Sequence, residues 1–169
     1  MTTHEKYMQI ALGQAEEALA QGEFPVGSIF VYEDQVLASG RREHSQEKND
    51  TVNEIDHAEI VALRNFLGQK STIPLAEITV YSTMEPCLMC YSTMILNGIR
   101  KIVYGYEDVM GGGTNLPLQQ LNPLYKEMRI ELVPDVLREQ SLSLFKRFFA
   151  NPENNYWKDS LLSSYTLNQ

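Results

Sequence analysis

Apolar residues at helical spacing follow the N-terminus. Thr2 and Glu5 have the spacing of a capping box, and apolar residues then recur at roughly the helical period as far as Gly22. The next two apolar segments, 27–31 and 35–40, surround a polar turn. This pattern predicts a first helix followed by an antiparallel β-hairpin.

Single helices separate most of the later apolar segments. The predicted elements, in chain order, are a helix over 57–68, a strand over 78–82, a helix over 87–96, strands over 101–104 and 128–133, and a helix over 135–149. Asp56 is the predicted N-cap of the first of these helices, after a polar loop over 41–56. A short amphipathic helix is predicted after Pro152. Because strands joined by single helices run parallel, we expect an α/β protein with a mixed sheet and helices on both faces.

The composition fits one globular domain over residues 1–169. Apolar residues make up 43% of the chain and charged residues 21%. The formal net charge of −8 counts against non-specific binding to nucleic acids, because acidic proteins repel phosphate backbones. No stretch approaches the roughly 20 apolar residues of a membrane span, and the N-terminus has no signal pattern. We therefore expect a cytoplasmic protein that does not bind membranes.

The candidate chemistry lies at the starts of two predicted helices. His57 begins one helix, and the only two cysteines, Cys87 and Cys90, begin the next. Residues three apart share a helix face, and the positive end of the helix dipole favours thiolates. One imidazole and two thiolates would hold Zn²⁺, one ion per chain, with the fourth tetrahedral position open. An open position is typical of catalytic zinc sites.

Glu59 supplies the acid–base group of this hypothesis. It lies two residues after His57, so its side chain should reach the reacting water rather than the metal. A carboxylate there can take a proton from water and pass it to a leaving nitrogen. The reaction this suits is attack of hydroxide on an amidine-like carbon, with loss of ammonia.

Other interpretations of these residues stay open. A lone C-x-x-C is also typical of a thioredoxin-like redox pair or of half a structural zinc site. The chain has no second C-x-x-C, which disfavours the structural site, and a redox pair leaves His57 and Glu59 unexplained. A zinc-stabilised binding module without catalysis is a third alternative, and the presence of Glu59 argues against it.

The same residues match a known signature, H-x-E…P-C-x-x-C, of zinc nucleobase deaminases. The chain resembles the cytidine-deaminase-like superfamily, in the branch of tRNA adenosine deaminases, guanine deaminases and fungal-type cytosine deaminases. The segments that carry the resemblance are Phe24-Pro25-Val26-Gly27, His57-Ala58-Glu59-Ile60, Glu85-Pro86-Cys87-Leu88-Met89-Cys90 and Tyr104-Gly105-Tyr106-Glu107-Asp108. The resemblance implies a three-layer α/β/α fold with a five-stranded sheet, and a homodimer. It also implies that the aromatic tail, 152–169, packs near the site.

The resemblance and the motifs together suggest residues that contact the substrate. These are Phe24, Val26, Arg42, Ala58, Glu85, Pro86, Asp108 and Trp157. Arg42 stands about where relatives have an asparagine that contacts the substrate. Simpler roles compete: core packing for Phe24 and Val26, an exposed hairpin charge for Arg42, a turn for Asp108 and a tail anchor for Trp157.

Two substrate classes follow from these observations. The acidic charge, Arg42 and the aromatic tail favour a free base, nucleoside or nucleotide. The motif similarity supports the alternative, a tRNA-specific adenosine deaminase that makes inosine in an anticodon loop.

Overall fold

The computed structural model describes residues 1–46 and 51–169, so residues 47–50 of the predicted loop 41–56 lie outside the described residues. The helices are α1 (Thr3–Ala20), α2 (Ala58–Gly68), α3 (Leu88–Leu96), α4 (Pro123–Lys126), α5 (Arg138–Ala150) and α6 (Leu161–Leu167). The strands are β1 (Gly27–Tyr32), β2 (Gln35–Arg41), β3 (Thr79–Met84), β4 (Lys101–Tyr106) and β5 (Glu131–Val133). Within the described ranges, no helix combines the length and the apolar character needed to cross a membrane.

The five strands form one mixed sheet in the order β2-β1-β3-β4-β5. β1 pairs antiparallel with both β2 and β3, while β3, β4 and β5 run parallel. The predicted hairpin is confirmed, and its turn residues Glu33 and Asp34 both have positive φ. The parallel part makes the carboxyl ends of β3 and β4 neighbours, which matters for the site.

Alternating side chains along the central strands build a core on each face of the sheet. On β1, Ile29 and Val31 pack with α1, whereas Phe30 packs with α2 and α3. On β3, Val80 and Tyr81 divide in the same way. The side-chain period of a strand therefore produces the three-layer α/β/α arrangement.

The helix starts confirm one capping prediction and correct another. Thr2 and Glu5 form the expected capping box at the start of α1. The N-cap of α2 is His57 rather than Asp56. The Asp56 carboxylate instead accepts hydrogen bonds from Asn53 and Arg64, which hold it away from the helix end.

The C-terminal third differs from the periodicity prediction. The last strand is only three residues long, and α5 begins at Arg138 instead of near residue 135. Leu137, at the N-cap of α5, has the left-handed φ of 52°, so the helix cannot extend back through it. In the tail, Trp157 and Asp159 also have positive φ, and the helix starts after them, at Leu161.

Helix α2 crosses the hairpin so closely that only glycine fits beneath it. A Cβ added at Gly40 would lie 2.4 Å from the carbonyl oxygen of Ala58 and 2.5 Å from the nitrogen of Ala62. Both atoms belong to the backbone, so no side-chain rotation can relieve the overlap. Gly40 therefore sets the depth at which the helix carrying Glu59 packs on the sheet.

Gly40→Ala is expected to destabilise the protein by roughly 3 kcal/mol, since the overlap must push α2 away from the sheet. Urea denaturation would measure the loss. Gly13→Ala is the matched control, because an added Cβ there meets nothing within 4 Å and Gly13 lies in the middle of α1. That control should gain stability, by up to about 1 kcal/mol. Equal stability of Gly40→Ala and the wild type would contradict the packing argument.

The C-terminal helix is tied to the sheet by one carboxylate. Glu107, just after β4, accepts hydrogen bonds from Arg138 at 2.6 and 2.8 Å and from the Tyr165 hydroxyl at 2.7 Å. Partial burial by itself would raise the pKa of Glu107, but the bonds from Arg138 and Tyr165 outweigh it and lower the pKa below its ordinary value of 4.5. The ionised form of Glu107 therefore holds α5 and α6 together.

We expect Glu107→Gln to destabilise the protein at neutral pH and to matter less in acid. A lowered pKa means that the stabilisation is fully present above the ordinary value and is lost as the pH falls through the folded value. Urea denaturation at pH 7 and at about pH 3.5 should show the difference shrinking. Glu139→Gln, which removes a highly exposed partner of the same arginine, should change little at either pH.

Candidate active site

The candidate site lies at the carboxyl ends of β3 and β4, where α2 and α3 begin. Open α/β sheets generally bind ligands at this edge. Glu85 follows β3 directly, and Asp108 follows β4 by two residues. The antiparallel hairpin supplies the opposite wall through Val26, just before β1, and Arg42, just after β2.

Two of the predicted metal ligands occupy helix N-cap positions. His57 and Cys87 both have extended backbone at the starts of α2 and α3, and neither side chain caps its own helix. Such positions usually hold Ser, Thr, Asp or Asn, whose side chains bond the helix backbone. Here the side chains of His57 and Cys87 do not cap their helices and instead approach each other.

The predicted ligand atoms converge. Nδ1 of His57 lies 3.5 Å from the sulfur of Cys87 and 3.5 Å from the sulfur of Cys90. All three ligand atoms lie within 4.8 Å of one another. Tetrahedral zinc with ordinary bond lengths requires about 3.6 Å between nitrogen and sulfur, so the arrangement fits the ion. Both thiols are free, so no disulfide competes with metal binding.

The two thiols differ in acidity. A hydrogen bond from Cys90 lowers the pKa of Cys87 to about 4, against the opposing effect of burial and with further help from His57. Donating that bond raises the pKa of Cys90, as do burial and the nearby charge of Glu59. Cys87 is thus ready to bind a cation as a thiolate, whereas Cys90 must lose its proton on binding, as metal ligands do.

Glu59 is a buried acid beside this cluster. Its side chain is only 3% exposed, and its Oε1 accepts a 2.9 Å hydrogen bond from the Ser82 hydroxyl. Burial, and secondly the charge of Cys87, raise the pKa of Glu59 above its ordinary value. A carboxyl group whose pKa is shifted toward neutrality is suited to both accepting and returning a proton.

A cavity of about 360 Å³ opens beside the cluster, within the size range of small-molecule sites. Seven of the eight predicted contact residues line it: Phe24, Val26, Arg42, Ala58, Glu85, Asp108 and Trp157. Pro86 is buried outside the cavity lining, and its carbonyl accepts a hydrogen bond from the Gly113 amide. Whether these side chains contact a substrate stays a prediction.

The interpretation of Arg42 as an exposed hairpin charge is wrong. Arg42 is only 2% exposed. Its guanidinium donates to the main-chain oxygens of Glu43, Asn53 and Asp56. The arginine therefore fastens the loop before α2 to the end of β2, and most of its hydrogen-bonding capacity is used there.

Two carboxylates shape the cavity wall at the carboxyl ends of β3 and β4. Glu85 accepts from the Asp108 amide at 3.0 Å and from the Thr114 hydroxyl. Asp108 accepts from the amides of Met110 and Gly111, as the turn interpretation expected, while also lining the cavity. Burial raises the pKa of Asp108 despite these two bonds. Together they fix the loop after β4 against the start of α3.

The aromatic residues show that core and cavity roles coexist. Phe24 packs edge-on against Tyr156 and Phe148, and it also lines the cavity. Trp157 remains 45% exposed at the mouth, so it is not a buried anchor of the tail. Tyr156, its neighbour, is the deeper of the two and carries the packing.

Sequence patterns missed two residues near the cluster, Glu54 and Ser82, and implied Tyr156 only as part of the aromatic tail. Glu54 bonds Nε2 of His57 at 3.1 Å, and Tyr156 donates to the same carboxylate at 2.9 Å. Glu54 lies in a polar segment without periodicity, and Ser82 lies in the middle of a buried strand. Several other hydroxyl residues, among them Thr83 next to it, are just as buried, so the sequence carries no signal that singles out Ser82.

An imidazole, two thiols and a buried carboxyl group at this sheet edge fit the requirements of a zinc-dependent hydrolase site. Comparison with known proteins specifies the class. Residues 1–106 match the family model described as the cytidine and deoxycytidylate deaminase zinc-binding region. The chain therefore belongs to this family of zinc-dependent deaminases, enzymes that hydrolyse C–N bonds.

Two relatives within this family align with most of the chain. The tRNA-specific adenosine deaminase of Bacillus subtilis (strain 168) is 30% identical over 149 residues, which cover 88% of this chain and 90% of the relative. That of Rickettsia bellii (strain RML369-C) is 33% identical over 143 residues, 84% of this chain and 97% of the relative.

Solved structures confirm the cytidine-deaminase-like fold. A tRNA:A34 deaminase matches with a TM-score of 0.66 and 25% identity, covering 82% of this chain and 98% of that one. Guanine deaminase from Nitrosomonas europaea matches with a TM-score of 0.70 over 89% of this chain and 87% of that one. Its 18% identity supports the fold alone.

Metal content provides a test of the ligand set. We expect one zinc ion per chain in the wild type and its loss in Cys90→Ser, because a serine hydroxyl does not replace a thiolate ligand. Elemental analysis by mass spectrometry after gel filtration would measure the ratio. Glu59→Gln is the control and should retain zinc, since Glu59 is expected to bind no metal. Full zinc occupancy in Cys90→Ser would contradict the assignment.

Proposed function

We propose that His57, Cys87 and Cys90 hold one zinc ion per chain, and that Glu59 carries protons in the hydrolytic deamination of a nucleobase. The observation that carries the proposal is the 3.5 Å approach of one imidazole nitrogen to both sulfurs, beside a buried carboxylic acid. The reaction consumes water, replaces an amino group on the ring by an oxo group and releases ammonia.

The chain's own residues account for the proton movements. Zinc at this site would supply hydroxide at neutral pH and Lewis acidity. Glu59 accepts the proton of the attacking water and delivers it to the departing nitrogen. The hydrogen bond from Ser82 holds Oε1 of Glu59, which leaves the other carboxyl oxygen to face the reacting groups. The apolar side chains of Met84 and Val26 line the cavity in which these transfers would take place.

For the substrate, we propose adenosine in the anticodon loop of a tRNA, converted to inosine. The curated relatives named tRNA-specific adenosine deaminases align with nearly the full length of both chains. A base in an unpaired loop can be turned out of its stack into a zinc pocket of this size. The exposed indole of Trp157 at the mouth offers a flat surface on which a neighbouring base can stack.

A free base, nucleoside or nucleotide is the second candidate. It is favoured by the placement of Tyr156 and Trp157 in the cavity wall, where the tail narrows the entrance. The charge of −8 and the carboxylate of Glu54 at the mouth also oppose a phosphate backbone. These observations concern the entrance, whereas the deamination chemistry is common to both candidates.

The remaining expectations complete the proposal. Residues 1–169 act as one domain, with 152–169 completing the cavity wall. The cytoplasmic location and the homodimer implied by the resemblance stay predictions. Glu59→Ala distinguishes an enzyme from a non-catalytic zinc-stabilised module, because only an enzyme depends on this carboxyl group.

We expect inosine to form in an anticodon stem-loop that contains a wobble-position adenosine, as measured by nucleoside mass spectrometry. In parallel, ammonia release would be assayed on guanine, cytosine, adenine and their nucleosides and nucleotides. Glu59→Gln should abolish whichever activity is found while retaining zinc, since proton transfer typically contributes 10²- to 10⁴-fold to rate.

The two arms decide between the substrates. Inosine formation that weakens steeply with salt supports tRNA, because phosphate contacts release counterions. Turnover of a free base with no reaction on the stem-loop at low salt rejects tRNA and supports the second candidate. Inactivity in both arms, in protein that contains zinc, would contradict the deaminase proposal.

A further inference from the structure

The carboxylate of Glu54 contacts the candidate metal centre from outside. Its Oε2 lies 3.1 Å from Nε2 of His57, on the side of the ring opposite to Nδ1 and the two sulfurs. An imidazole can bind a metal through Nδ1 only when its proton resides on Nε2. An acceptor at Nε2 therefore selects the tautomer that binds the ion and fixes the plane of the ring.

The same oxygen of Glu54 also accepts a hydrogen bond from the C-terminal tail. The hydroxyl of Tyr156 donates to it at 2.9 Å across 102 residues of sequence. Arg42 lies 3.7 Å away with its guanidinium over the Tyr156 ring. Although half of the Glu54 side chain is exposed, its carboxylate thus has three neighbours in fixed positions.

The loop that carries both Glu54 and His57 is itself braced. Arg42 donates to the carbonyl oxygens of Asn53 and Asp56, on either side of Glu54. The side-chain oxygen of Asn53 accepts from the amides of Ile55 and Asp56, which closes a tight turn. Glu54 is therefore presented to His57 by a turn anchored on the end of β2.

We propose that Glu54 is a positioning residue for the metal ligand His57, and that Tyr156 makes this positioning depend on the docked C-terminal tail. This inference rests on the proposed zinc-binding role of His57. It extends that role by coupling the tail, which forms the cavity wall, to the retention of the ion. Without the docked tail, Glu54 would lack its tyrosine partner and His57 would lack part of its orientation.

The test compares the rate of zinc transfer from the holoprotein to a chromophoric chelator in four variants. Glu54→Ala should release zinc roughly 10- to 100-fold faster than the wild type, because losing such a partner typically costs that factor in metal affinity and the loss should appear in the release rate. Zinc release from Glu54→Gln should be slower than from Glu54→Ala but faster than from the wild type, because the amide oxygen still accepts from Nε2 of His57 but carries no charge. Tyr156→Phe should also release zinc faster than the wild type, though less so than Glu54→Ala, since its ring still packs on Phe24.

Glu153→Gln is the matched control. It removes a carboxylate charge from the same tail at an exposed position, and its zinc release should equal that of the wild type. Urea denaturation of the zinc-loaded variants serves as a second readout. Zinc release that is fastest in Glu54→Ala and intermediate in Glu54→Gln and Tyr156→Phe, with little change in the urea midpoint, distinguishes positioning from a general loss of stability.

The outcomes separate this inference from the proposed function. Wild-type protein that holds zinc and deaminates a base, with Glu54→Ala releasing zinc at the wild-type rate, would overturn the inference and leave the function standing. Wild-type release in Tyr156→Phe, with fast release in Glu54→Ala, would reject the coupling to the tail. If Glu54→Ala does not fold, Glu54→Gln and Tyr156→Phe decide. A wild type that binds no zinc would overturn both proposals.

Discussion

The approach of one imidazole nitrogen to two sulfurs depends on two helices beginning at the same edge of the sheet. His57 and Cys87 are the N-cap residues of α2 and α3, so the elements that position the starts of these helices also set the distance between the two side chains. The parallel strands β3 and β4 set the edge, and Gly40 sets how deeply α2 packs. The metal centre is thus a product of the whole α/β framework rather than of a local motif.

The electrostatics of the cluster follow from its burial. Three acidic groups, Glu59, Cys87 and Cys90, share a small space with one imidazole, and they cannot all ionise without compensation. Their acidities therefore differ: the pKa of Cys87 is lowered to about 4, whereas those of Cys90 and Glu59 are raised. A divalent cation bound there would offset the charge of both thiolates, since each cysteine must be deprotonated to bind it.

Patterns with a regular period or a fixed spacing were predicted well from the sequence. The hairpin, the central helices and the converging residues His57, Cys87 and Cys90 are where periodicity and motif placed them. Backbone conformations that follow no sequence period were not predicted. The left-handed residue Leu137 shortened α5, and positive φ at Trp157 delayed the last helix. Side-chain partners that join distant segments, such as Glu54 and Tyr156, have no signal in a single sequence.

The burial of Arg42 has a consequence for attempts to exchange specificity within this family. An asparagine placed at position 42 would be too short to reach the carbonyl groups that the guanidinium now bridges, and the turn around Asn53 would lose its support. A single exchange there removes scaffolding as well as any contact with a ligand. Redesign would have to replace the end of the hairpin and the following turn together with the corresponding segment of one relative. The hydrogen bonds that support that segment would then be replaced along with it.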